Sequence, residues 1–244
     1  MSTTFVLIHG AWHGGWCWDR VRPLLEVEGH RVLTPTLTGL GERAHLLSPA
    51  VGLHTHVDDV VTVLRDAHVG DCVLVGHSYA GITLNGVIDR LHGGAAPHVV
   101  PRQLIYLDSV IAGHGERWCD MQTPEQVAAR MAIREISANG TPIIPAPSPQ
   151  DLGIDLSADQ DAVSLLLTPH PFRCYVDVLD APYGADASIR RTYIDCTAPA
   201  LGSLALSKRR AREEGLQMVP FAAGHDCMFS APAETADLLL ATLT

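Results

Sequence analysis

Apolar residues fall into two rhythms along this chain, and the rhythms alternate. Short continuous runs bounded by glycine, proline or polar residues predict buried strands at Thr4–His9, Arg31–Thr34, Cys72–Val75, Gln103–Leu107, Thr192–Cys196 and Met218–Phe221. Between them the spacing turns helical. It does so at Trp18–Glu28, stopped by Gly29, at Val57–His68 with Val60, Val61 and Leu64 on one face, and at Tyr79–Leu91. A last helix is expected from about Ala231 to Leu243, with Ser230 as its N-cap. Strands that are apolar throughout, separated by helices, predict a parallel sheet buried on both faces.

Between 112 and 186 this rhythm breaks. Thr123-Pro124-Glu125-Gln126 is a helix start, with a cap residue, a proline in the first turn and Gln at the capping-box position. The proline-rich run Thr141–Pro149 is too rigid and too poor in N–H donors for the interior of a sheet or helix. Helical spacing returns near Asp159–Leu167 and Phe172–Leu179. The expected division is therefore a core of 1–111 and 187–244, interrupted by a helical cap or lid of 112–186.

Composition narrows the function classes. The chain has 244 residues, 47% hydrophobic and 18% charged, enough for one α/β domain with an insertion. The net charge of −10 argues against a nucleic-acid or anionic-membrane binder, either of which needs a basic face. The basic cluster Lys208-Arg209-Arg210 with Arg212 stands beside Glu213 and Glu214 and reads as a solvated helix face. No charged and apolar leader precedes the first strand, and no apolar run reaches the roughly 18 residues that span a bilayer. Six cysteines are scattered without a CxxC pair, which predicts buried free thiols in a reducing cytoplasm and no zinc or redox site. Oligomeric state stays open, a homo-oligomer included.

The chemistry gathers at strand ends. The third strand runs into Gly76-His77-Ser78-Tyr79-Ala80-Gly81, which puts a serine on a sharp strand-to-helix turn with its hydroxyl out of the sheet. The more usual form has glycine where Ala80 stands. His9-Gly10-Ala11 follows the first strand, where a hydrolase of this architecture places one oxyanion-hole N–H; the candidates are the N–H groups of Ala11 and Tyr79. Near the C-terminus, Gly224-His225-Asp226 follows the last strand. Of thirteen histidines, His225 is the one whose position lets it reach back over Ser78. His54 and His56 form an HxH pair with no third ligand in view, so no metal is expected. His77 reads as a packing or hydrogen-bonding residue at the edge of the site.

The segments Phe5–Trp16, Gly29–Val32 and Thr36–Arg43 carry a family likeness, joined by Gly224-His225-Asp226 and more loosely by Leu167-Thr168-Pro169-His170-Pro171. There the chain resembles the small α/β-hydrolases that include bacterial carboxylesterases of the pyrethroid-hydrolase type, with plant methyl esterases and hydroxynitrile lyases as relatives. The resemblance implies an α/β-hydrolase fold with a six-stranded, mainly parallel sheet, a helical lid, and cofactor-free hydrolysis of small carboxylic esters.

This sequence departs from the family pattern in two places. The lyases carry a threonine after the strand-end histidine and a lysine soon after the catalytic histidine; here those places hold Gly10 and Cys227-Met228, which favours an esterase. The family acid normally follows the Cys-Thr at the end of the fifth strand, but Cys196-Thr197 is followed here by Ala198-Pro199-Ala200. Asp108, ending the strand next to that of Ser78, is the favoured replacement, since some lipases place their acid there. Asp195 is the alternative, and a Ser-His pair without an acid is the third case.

The leading expectation is an esterase with Ser78 as nucleophile, His225 as base and Asp108 as acid, acting on a small-molecule ester. A cofactor-free lyase and a non-catalytic binding protein on the same scaffold are the other two readings. Trp12, His77, Trp118 and Phe172 are expected at the substrate pocket, and Met121, Met131, Leu165 and Leu166 of the insertion are either pocket wall or its core.

Overall fold

The computed structural model describes residues 2–154, 157–182 and 189–243. Its central sheet is built from β1 (Thr4–Ile8), β2 (Arg31–Leu33), β3 (Asp71–His77) and β4 (Val100–Leu107), and from two later strands. A separate three-stranded antiparallel sheet lies between them in sequence, made of β5 (Glu135–Ile136), β6 (Pro142–Ile144) and β7 (His170–Pro171). The central sheet is then completed by β8 (Arg190–Cys196) and β9 (Gln217–Phe221). Its order is β2-β1-β3-β4-β8-β9, and every pairing in it is parallel.

Alternate residues of the middle strands point to opposite faces, and both faces are apolar. Val6, Ile8, Leu74, Leu104 and Tyr106 join one buried cluster; Phe5, Leu7, Val73, Val75, Ile105 and Leu107 join the other. The first cluster takes in residues of α2 (Leu53–Asp66) and α3 (Ala80–His92). The second takes in residues of α1 (Arg22–Val27) and of the C-terminal helix. The six expected strands are all present, lengthened or trimmed by one to three residues at their ends.

Several local expectations need correction. The first helix is shorter than Trp18–Glu28: a 3₁₀ turn over Gly15–Trp18 precedes α1, whose first turn carries Pro23. In the insertion, α4 (Pro124–Ala132) starts as expected, with Thr123 Oγ1 accepting from Gln126 N–H and Gln126 Oε1 accepting from Thr123 N–H. The proline-rich run does supply a strand. Pro142 opens β6, and the backbone pairs through Ile143 and Ile144, which have N–H groups to donate. α5 (Ser157–Leu166) matches its expected place, but α6 is only Arg173–Val176 rather than a helix to Leu179. After β8 come α7 (Ala205–Glu213), then α8 (Cys227–Ser230) and α9 (Pro232–Ala241). Ser230 does not cap the last helix: Ala231 stands at that position, and Pro232 sets the first turn. The expected boundary at 186/187 lies outside the described residues.

The basic cluster on α7 is a solvated face only in part: Arg209 and Arg212 are exposed with Glu213 and Glu214, as expected, and Lys208 is the exception. Lys208 is buried, Arg210 pairs with Glu116, Arg212 with Asp195 and Arg209 with Glu213. All six cysteines are free and buried, and among the described residues no helix is long and apolar enough to cross a membrane.

Candidate active site

Ser78 sits between β3 and α3 with φ +54, in the left-handed region that an L-residue rarely adopts. The end of β4, the loop after it and the first turn of α3 hold it there. Ser78 N–H donates to Leu107 C=O (3.2 Å), and Ser78 C=O accepts from Val110 N–H (2.9 Å) and Gly81 N–H (3.2 Å). The turn closes because its neighbours are small. A Cβ on Gly76 would come within 2.8 Å of Leu84, and one on Gly81 within 2.2 Å of Val110 C=O. Ala80 is fully buried and fits without such a clash, so glycine is not needed at that position.

His225 bridges Ser78 and Asp108. Its Nδ1–H donates to Asp108 Oδ2 at 2.6 Å, and its Nε2 accepts from Ser78 Oγ–H at 2.9 Å. Asp108 also has positive φ, +42, and its N–H donates to Ile194 C=O (2.8 Å), so the strand beyond fixes the turn that aims the carboxylate. Burial opposes its ionisation, but the hydrogen bond and charge of His225, aided by Lys208, hold it below the ordinary carboxylate range. Asp195 points elsewhere: its oxygens meet Lys208 Nζ (2.8 Å) and Arg212 (2.9 Å).

The loop after β1 passes directly beside Ser78. Gly10 permits this, since a Cβ there would lie 2.8 Å from Ser78 Cβ and 2.9 Å from His77 Nδ1. His9 holds the loop from behind, with Nδ1–H donating to Gly10 C=O (2.8 Å) and Nε2 accepting from Leu37 N–H (3.0 Å). Neither Ala11 N–H nor Tyr79 N–H donates a backbone hydrogen bond among the described residues. Two unused donors therefore flank the serine. Trp12 continues the loop at φ +67, tied by its indole N–H to Ile144 C=O (3.1 Å) and by its C=O to Thr168 N–H (2.9 Å).

A second buried constellation supports the first. His13 donates from Nδ1 to Ala11 C=O (2.7 Å) and from Nε2 to Asp226 Oδ2 (2.9 Å). Burial works against its charge, but the Asp226 carboxylate prevails and raises its pKa; Asp226 is correspondingly lowered, against its own burial, by His13. This ion pair ties the Ala11 loop to the residue next to His225. His77 donates from Nε2 to His225 C=O (3.1 Å), and burial pushes its pKa down to about 3. The insertion clamps the same loop, through Asp226 N–H to Leu152 C=O (3.0 Å) and a backbone approach in which a Cβ on Gly224 would meet Gly153 C=O at 2.9 Å. Sequence reasoning missed His13, Asp226 and Lys208 in these roles. For Asp226 the adjacent motif was a signal; for the other two, only distance in space reveals the partner.

A cleft of about 160 Å³, open at its mouth, lies over Ser78 and His225, walled by Trp12, Trp118, Val110, Leu201 and Leu204 with Gln122, Arg130, Asp151 and Ser203 as polar neighbours. Two expected pocket residues are not in this wall. His77 is fully buried behind His225, and Phe172 packs against Tyr175 and beneath the Arg134 guanidinium. Met121 is buried in the insertion, whereas Leu165 is 86% exposed and Met131 and Leu166 are also exposed, so these four form no pocket wall.

His54 and His56 do not converge on a metal site. His54 Nε2 donates to Val178 C=O, while His56 donates to Thr38 C=O (2.9 Å) and accepts from the Tyr79 hydroxyl (3.1 Å). Among the described residues, His77, His225 and Asp226 bring ligand-type atoms within 4.8 Å of one another. Both ring nitrogens of His225 are already engaged by Asp108 and Ser78, so that cluster does not fit a resident ion.

Comparison with known proteins shows the family. Residues 5–238 match the model of the Alpha/beta hydrolase family. The carbendazim hydrolyzing esterase of Nocardioides sp. (strain SG-4G) is 36% identical over 244 residues, covering 97% of this chain and 98% of the relative. The pyrethroid hydrolase of Sphingobium wenxiniae is 36% identical over 115 residues, 46% of this chain and 38% of its own. Among solved structures, an extracellular alpha/beta-hydrolase from a Paenibacillus species superposes with a TM-score of 0.82 over 98% of both chains at 22% identity, a likeness of fold. The chain belongs to the alpha/beta hydrolase family.

Proposed function

We propose that this protein is a cofactor-free serine esterase. The observation that carries the reading is the continuous Asp108–His225–Ser78 hydrogen-bond chain, with its serine end at an open cleft walled partly by tryptophan and leucine. Ser78 Oγ attacks the ester carbonyl while His225 Nε2 takes its proton. Asp108 holds the ring in the tautomer that leaves Nε2 free and stabilises the imidazolium that forms. The N–H groups of Ala11 and Tyr79 bind the oxyanion, the latter at the start of α3, where the helix dipole adds to it. His225 returns the proton to the leaving alcohol, then activates water to release the acyl group.

Trp12 and Trp118 suit an aromatic or apolar group on a small ester, and the part of the insertion that carries Trp118 serves as a lid beside the serine. Relatives named as an esterase and a hydrolase support the same reaction class. The lyase reading is disfavoured by Gly10, where a threonine side chain would collide with Ser78 Cβ. Six free buried thiols suit a cytoplasmic setting, and the net charge of −10, with the arginines of α7 paired to carboxylates, disfavours a nucleic-acid partner.

The deciding experiment is hydrolysis of p-nitrophenyl esters together with labelling by a fluorophosphonate probe. The wild type should react with both. Ser78→Ala should lose label and fall in turnover by on the order of a million-fold while remaining folded. A variant keeping more than a tenth of its activity would overturn the reading.

A further inference from the structure

Lys208 reaches from α7 to the edge of the central sheet, with only 7% of its surface exposed. Its Nζ lies 2.8 Å from Asp108 Oδ1, 2.8 Å from Asp195 Oδ1 and 3.0 Å from Cys196 C=O, which accepts a hydrogen bond from it. Asp108 therefore has a different cation-competent group on each oxygen: Lys208 at Oδ1 and His225 at Oδ2. Asp195, next along, is shared between Lys208 and Arg212.

We infer that Lys208 is a positioning residue for the esterase reaction: its ammonium fixes the rotation of the Asp108 carboxylate and partly neutralises it, thereby setting the pH at which His225 is free to accept the Ser78 proton. The inference rests on the mechanism proposed above. Its physical basis is the acid's location. A carboxylate with no exposed surface is expensive to ionise without a counter-charge. His225 supplies that counter-charge only while protonated; neutral and ready to act as a base, it cannot. Lys208 can, and it does so without occupying the oxygen that His225 needs.

The sign of the effect follows from the charges around His225. Asp108 favours the imidazolium, and Lys208, beyond it, opposes this. Asp195 on β8 screens Lys208, and Arg212 in turn screens Asp195. On the other side, the charges of the His13–Asp226 pair oppose one another. His77, on β3, is kept neutral by burial, as are Tyr193 and Cys196 on β8, whose pKa values burial and neighbouring groups push up. Removing the ammonium leaves the Asp108 carboxylate uncompensated, so His225 holds its proton to higher pH. Removing Asp195 unscreens the ammonium and does the opposite.

The test is the acid limb of the pH profile of kcat/KM, which reports the free enzyme's base. Lys208→Met should move that limb upward by about one pH unit, Lys208→Arg should leave it near the wild-type position, and Asp195→Asn should move it downward. A purely structural lysine would lower the unfolding temperature of Lys208→Met and leave the limb in place, and that result overturns the inference. Should Lys208→Met fail to fold, Asp195→Asn decides: its partner Arg212 has 56% of its side chain exposed, so the loss there is partly solvated. An unmoved or upward-moving limb in that variant also overturns it. With Ser78→Ala inactive and all limbs coincident, the esterase mechanism stands and the role of Lys208 falls. With Ser78→Ala active, both fall.

Discussion

Asp108 Oδ2 lies 2.6 Å from His225 Nδ1 although the two residues are 117 positions apart, one ending β4 and the other following β9. The contact rests on one backbone departure and one anchor: Asp108 turns at φ +42, and its N–H donates to Ile194 C=O in the intervening strand β8. An acid at the end of β8 would face His225 from the adjacent strand. In this chain Asp195 at that strand is instead committed to Lys208 and Arg212.

If Asp108 orients the ring, Asp108→Asn should keep the fold and lower turnover by about 10³- to 10⁴-fold, because an amide N–H facing Nδ1 favours the wrong tautomer. Asp195→Asn should cost less than tenfold at neutral pH. Steady-state kinetics on one aryl ester, with circular dichroism of each variant, measures both; the reverse ranking would transfer the acid's role to Asp195.

The close passage of the β1 loop over Ser78 leaves no volume at Gly10. Gly10→Ala forces its new methyl group against Ser78 Cβ and His77 Nδ1, at 2.8 and 2.9 Å, so the loop must move outward and take the Ala11 N–H with it. The expected result is a loss of about 10²- to 10³-fold in kcat, the magnitude of losing one oxyanion donor. KM should change much less. Equal kcat values for the two proteins would remove Ala11 from the proposed mechanism.

Acid should unfold this protein steeply. Burial drives His9 and His77 down to about 3 and His56 to about 4, and takes His170 well below its ordinary value. His170 illustrates why: it is enclosed by the rings of Trp12, Tyr79, Trp118 and His56, and neither ring nitrogen has a hydrogen-bond partner among the described residues. The unfolded chain protonates these four near pH 6.5 while the native state refuses the protons. Stability is thus fully present above that pH and is lost as pH falls from 6.5 towards 4, by up to about 1.4 kcal/mol per pH unit for each histidine. His13 runs the other way: its contribution, from a raised pKa, is complete below 6.5 and is lost only as pH rises through that raised value. Urea midpoints measured at pH 7.5, 6.0 and 5.0 should fall progressively, and a midpoint indifferent to pH would mean that these histidines are protonated in the native state.

Much of the candidate site's framework was legible in the sequence. Residues 71–81 carry both the buried strand and the small-residue turn that expose Ser78, so the information is local. The apolar runs of β1, β3, β4 and β8 announce a sheet buried on both faces, and the order of serine before histidine fits one known topology. The likeness of the first ninety residues pointed to the same family. Helix ends were less legible, since α6 stops after Val176 and β6 forms within a proline-rich run through its two isoleucines.

What the chain order could not decide is which side chains meet across the sheet. Asp108 and Asp195 are both aspartates at parallel strand ends, and composition does not separate them. Their roles diverge because β4 and β8 are neighbours and α7 inserts Lys208 between the two carboxylates, giving Asp195 two cations and leaving one oxygen of Asp108 for His225. Lys208 itself reads in sequence as part of a solvated basic run, since a lysine's burial depends on partners distant in sequence. His77 and Phe172 likewise lie close to the site yet outside the cleft, because packing against His225 and Tyr175 turns their rings away. Local sequence determined the strands, the serine turn and the histidine loop, since backbone sterics and burial act over a few residues. Which carboxylate meets His225, which cation pairs with it and what walls the cleft were decided by tertiary structure, because ion pairing and exclusion of water depend on atoms that only the completed fold brings within about 3 Å of one another.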